Sequence, residues 1–133
     1  MNADARTLDG FGVVLLVFAV LSVATGLLMG FAPGTFFEEI APYEPRSDHF
    51  IRDLATYSFA SGVVFAVAAY LPSWRLPVLA FAALQYGLHA VNHLVDIGDT
   101  DPESLGIGAF VYITIGAVVL AAMLSRTRGG VRR

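Results

Sequence analysis

The sequence contains no cysteine and no lysine. Without cysteine there are no disulfides, no thiol redox pairs and no thiolate metal sites. The eight basic residues are all arginine, and the formal charge of -3 gives no reason to expect a nucleic-acid partner. Charge of either sign is scarce. Only 14% of the 133 residues are ionised at neutral pH, against about 25% in a typical soluble domain. No phosphate-cradling glycine loop, nucleophile elbow or zinc-protease motif is present.

What the chain has instead is apolar length. Hydrophobic residues make up 56% of it, gathered into four runs of about 20 residues, each long enough to cross ~30 Å of hydrocarbon as a helix. The expected fold class is all-α: one polytopic membrane domain covering residues 1–133, a four-transmembrane-helix bundle with short loops. The spans are placed at 12–31, 49–70, 76–95 and 105–124, with a basic tail at 125–133. The first run is too long, and lacks the small-residue cleavage site, for a removable signal peptide, so it reads as a retained span.

In chain order, Met1 to Asp9 is a polar leader whose only base is Arg6. Gly26 and Gly30 form a small-xxx-small pair in the first span. With Gly116 they offer close-packing surfaces, within the bundle or between protomers of a homo-oligomer. Pro33-Gly34 ends that helix. Thr35 and Glu38 resemble a capping box, so Phe36 to Ile40 is expected to form a helical turn at the interface, with Phe36, Phe37 and Tyr43 at headgroup level. Ser47 or Asp48 caps the second span. Residues 71–77 form a connection so short that spans two and three should be antiparallel neighbours. Tyr70 and Trp74 anchor it at the interface. Thr100 to Glu103 supplies a cap and a first-turn proline for span four.

Arginine placement sets the expected orientation. Arg126, Arg128, Arg132, Arg133 and Arg75 fall on one side, which the positive-inside rule makes the cytoplasm of a bacterial cell; Arg46 and Arg52 oppose it. Both termini are then cytoplasmic, and two acidic loops face outward. One holds Glu38, Glu39, Glu44 and Asp48, the other Asp99, Asp101 and Glu103.

The end of the third span breaks the apolar pattern. Gln85, His89, Asn92, His93 and Asp96 share one helical face. Polar groups in a membrane span are expensive and usually have partners or a task. Antiparallel packing would set them beside His49, Arg52, Asp53 and Thr56 of the second span, uniting all three histidines of the chain. Arg52 in the first turn of one helix and Asp96 in the last turn of the other each oppose the helix dipole, so an Arg52–Asp96 pair is expected, with Asp48 as the competing partner of Arg52.

Several readings of this cluster stay open. His89 and His93, at i,i+4, can ligate one metal ion from one face, with His49 and Asp53 completing a tetrahedral site. Zn, Fe, Cu and Mn all suit these donors. A haem with His49 and His89 or His93 as axial ligands, and Arg52 on a propionate, is a variant. Tyr57, Gln85, Tyr86 and Tyr112 form a floor, and Arg52, Asn92, Asp96, Tyr57 and Gln85 are the candidate contacts to a cofactor. Alternatively, Asp53 and His89 serve as acid and base on a small apolar molecule entering from lipid, with no metal. In the third reading the cluster only holds helices together.

Two strings carry a family resemblance: Asp48-His49-Phe50-Ile51-Arg52-Asp53-Leu54 and His89-Ala90-Val91-Asn92-His93-Leu94-Val95-Asp96. With the four-span pattern over residues 10 to 125, the chain resembles the small bacterial DoxX-like membrane proteins, which include actinobacterial members of unknown function. The resemblance implies membrane redox chemistry, as partner of an oxidoreductase. The absence of cysteine argues against a thiol-dependent version, and no functional residue is transferred by motif.

Overall fold

A computed structural model describes residues 8–131, so Arg6, Arg132 and Arg133 lie outside the described residues. Five helices follow in order: α1 (Gly10–Phe31), α2 (Pro33–Glu39), α3 (Asp48–Tyr70), α4 (Pro72–Val95) and α5 (Glu103–Val131). All but α2 are long and apolar enough to cross a membrane, which makes this a multi-pass bundle whose surroundings are lipid.

Local chemistry explains most boundaries. Asp9 caps α1, accepting from the Gly12 N–H at 2.8 Å. The helix stops before Pro33, which becomes the first residue of α2. The expected turn at Phe36 therefore begins earlier, and Thr35 lies inside the helix rather than capping it. Ser47 is the cap of α3, with Asp48 in its first turn where the dipole favours an anion. The connection between α3 and α4 shrinks to Leu71 alone. Pro72 can open α4 because it has no N–H to leave unpaired, and Pro77 is absorbed within that helix. Helix α5 continues past residue 124 through Arg126 and Arg128, so those two arginines sit on helix rather than on a separate tail.

The helices associate as two pairs. α1 lies along α3 and α4 along α5, while α3 and α4 touch only lightly. Small residues decide this. A Cβ on Gly26 would stand 2.8 Å from the Phe59 nitrogen, and one on Gly62 would stand 2.9 Å from the Ala19 oxygen. The α1 and α3 backbones thus come together through one glycine from each. In lipid, where apolar burial drives little, such close van der Waals contact is what holds helices together.

The two pairs join at the end where α1 begins and α3 hands over to α4. There Leu15 and Ala19, Phe65, Ala68 and Ala69, Val78, Leu79 and Ala82, and Leu120 and Met123 make one core drawn from all four long helices. At the opposite end a smaller cluster of Met29, Ile51 and Ala55 is covered by Phe36 and Phe37, all from α1, α2 and α3. There the α4–α5 pair is reached through the loops. Tyr43 and Thr100 form an isolated antiparallel bridge between the 40–47 and 96–102 segments.

Candidate functional site

The last two turns of α4 carry the site. The i,i+4 spacing stacks His89 and His93 on one face, and their rings sit 4.7 Å apart between centroids. Their Nε2 atoms point at each other across 2.9 Å. At that distance one nitrogen carries a proton and the other offers its lone pair. On the far side of its ring, His93 Nδ1 lies 3.0 Å from the Tyr43 hydroxyl, and the two rings meet edge-on at 5.7 Å. Tyr43, His93 and His89 therefore form one hydrogen-bonded line, running from the loop toward the membrane interior.

Tyr43 is held from behind. Its backbone pairs with Thr100, and Thr100 is buried, its Oγ1 accepting from the Gly106 N–H at 2.9 Å in the first turn of α5. Burial first, and then the negative charges of Asp96 and Asp99, push the Tyr43 phenol above its ordinary range. It stays protonated at neutral pH and keeps both hydrogen-bonding roles.

The α3 residues expected in this site stand elsewhere. His49 Nε2 and Asp53 Oδ2 are 3.5 Å apart, with side chains 82% and 62% exposed, and among the described residues their ion pair is with each other. Among the described residues, no group of three or more His, Asp and Glu side chains is arranged to hold a metal ion. The four-ligand constellation and the His49-based axial pair are thus not assembled. The reason is the pairing of helices: α3 spends its packing face on α1, so its loop end does not close on α4.

The Arg52–Asp96 pair does not form for the same reason. Among the described residues Arg52 makes no ion pair, and Asp48 is engaged by Arg46 at 2.8 Å. Arg46 also reaches Glu38 at 3.4 Å and its backbone N–H donates to Glu44, so this arginine staples the first acidic loop. Asp96 caps the end of α4 and accepts from the Asn92 amide at 3.4 Å. Its expected misfit with the dipole is met within its own helix.

Of the expected floor, Tyr86 belongs to the core. It packs edge-on against Phe18 at 5.6 Å and fills the space over Gly116. Tyr57 faces Phe81 of α4 at 6.4 Å, Tyr112 is 52% exposed, and Gln85 lies half-buried one turn below His89. Tyr43 and Thr100 are the site residues that sequence reasoning did not select. The sequence marks Tyr43 only as an interface aromatic, and a contact across 50 positions leaves no periodic signal.

Comparison with protein-family models, curated proteins and solved structures gives no match. Two nitrogens on one tetrahedral ion stand about 3.3 Å apart, given metal–nitrogen bonds of about 2.05 Å. The His89–His93 gap of 2.9 Å needs to open by only a few tenths of an ångström to reach that bite. Two imidazoles leave the remaining coordination positions to water or to a ligand from outside.

Proposed function

We propose that the imidazole pair of α4 binds one transition-metal ion, or the metal of a metal-containing cofactor, in a redox-associated accessory role. The observation that carries this is the facing of the two Nε2 atoms at 2.9 Å, a near match to the bite of one ion. Asp96 and Asp99 lie close enough to act on Tyr43, and this end also holds the acidic loops, which raise the local concentration of cations. In this proposal the site faces outward from a bacterial cytoplasmic membrane with both termini inside, an orientation supported by the arginine bias toward the other end. The redox association rests on the DoxX-like resemblance alone, as does a membrane oxidoreductase as partner. His49, Asp53 and Arg52 are not assigned to this site.

A second reading is favoured by the His89–His93 hydrogen bond itself, which is complete without an ion. The pair then holds a proton and meets a small apolar molecule from lipid, with His89 as acid or base and Gln85 as a hydrogen-bonding neighbour. Elemental analysis with an absorption spectrum separates the two, on protein purified in detergent without chelators or a histidine tag. One metal per chain, or a Soret band, is expected from the first reading. A metal-free, colourless protein that also fails to take up added zinc would remove it.

A further inference from the structure

We infer that Tyr43 is the positioning residue of the imidazole pair, fixing the His93 ring so that Nε2 is offered toward His89. The inference rests on the reading of that pair as the ligands. An imidazole ring turned over by 180° has nearly the same shape, so packing alone does not choose its orientation. The Tyr43 hydroxyl does choose, because it meets Nδ1 at 3.0 Å, where a flipped ring would present a carbon. When an ion takes Nε2, the proton must reside on Nδ1, and the phenol oxygen is placed to accept it. A partner of this kind fixes the tautomer and typically changes metal affinity by 10–100-fold.

The position of Tyr43 is itself imposed from outside α4. Its backbone bridge to Thr100 ties it to the residue whose hydroxyl accepts from the Gly106 N–H in the first turn of α5. The two ligands stand on one helix, and their orienting group is anchored at the start of the next. Edge-on contact between the Tyr43 and His93 rings survives removal of the hydroxyl, so Tyr43→Phe tests the hydrogen bond with little change in packing.

The test is zinc titration of the wild type and Tyr43→Phe in the same detergent, with nitrogen-15 spectra of the histidine rings before and after zinc. Zinc should bind both proteins at one ion per chain, with affinity 10–100-fold lower in Tyr43→Phe. The His93 Nδ1 resonance should also shift between the two. Equal affinities within about twofold, with zinc bound by both, would overturn the inference. If the wild type takes up no zinc, the metal reading fails on its own, and the zinc-free spectra decide for Tyr43. An unchanged Nδ1 resonance in Tyr43→Phe then overturns the positioning role as well.

Discussion

Arg75 grips Asp9 with two parallel hydrogen bonds, Nη1 to Oδ2 at 2.6 Å and Nη2 to Oδ1 at 2.8 Å. The same guanidinium donates to the Ala68 and Ala69 carbonyls at 3.2 Å each, and it lies over the Phe11 ring. From the first turn of α4, one side chain thus satisfies two of the last carbonyls of α3 and holds the capping residue of α1. The bidentate fork is a geometry that arginine can make and lysine cannot.

Arg75→Ala should lower stability by about 2 kcal/mol, the range of a charged hydrogen bond plus two carbonyls left without a partner. The figure is moderated because Asp9 is 56% exposed while Arg75 is only 12% exposed. Arg75→Lys should recover less than half of the loss. Unfolding in detergent followed by circular dichroism measures both.

The clasp also sets an acid limit. The Arg75 hydrogen bonds, and then the Gly12 N–H, hold the Asp9 carboxyl below its ordinary value. A group with a lowered folded pKa binds fewer protons folded than unfolded, so its contribution is present above about pH 4 and drains away as the pH falls below that. Stability of the wild type should decline on that acid limb, and Asp9→Asn should flatten this part of the decline. A wild-type limb identical to that of Asp9→Asn would show that the clasp contributes nothing.

Two glycines should be intolerant where a third is not. Gly26→Ala and Gly62→Ala each drive a Cβ into backbone of the facing helix at 2.8–2.9 Å, and should cost roughly 1–3 kcal/mol as overpacking. Gly30 has its nearest neighbour at 3.8 Å. There, alanine should be neutral or stabilising by up to about 1 kcal/mol, since it restricts the unfolded chain and favours helix. Unfolding midpoints of the three variants decide it.

Helix number, type and approximate limits were legible because each run is apolar and bounded by proline or a capping residue. Pairing was not. Gly26 and Gly30 do both lie against Ala55 of α3, but their spacing does not say which helix they meet, and it does not reveal Gly62, which gives the reciprocal close approach to Ala19 of α1. A one-residue connection at Leu71 makes α3 and α4 consecutive without making them the main partners. The expected Arg52–Asp96 pair rested on that assumption. Because the two do not pair, Arg52→Gln and Asp96→Asn should be additive within about 0.5 kcal/mol in a double-mutant cycle. A coupling of 1 kcal/mol or more would restore the pair.

The site was half legible for the same reason. His89 and His93 share a helix, so their convergence follows from the i,i+4 rule alone. The grouping with His49 and Asp53 needed the correct helix neighbours, which α3 does not provide. Tyr43 reaches His93 through a loop bridged to another loop, an arrangement set by tertiary structure rather than by local pattern.

On the proposed reading, His89 and His93 bind the ion and His49 does not. Cobalt or zinc stoichiometry should be measured on the wild type, on His49→Ala and on the His89→Ala/His93→Ala double variant, all in detergent without a histidine tag. One ion per chain in the first two and none in the third is the expected result. An unchanged metal content in the double variant, or a loss caused by His49→Ala, would contradict it.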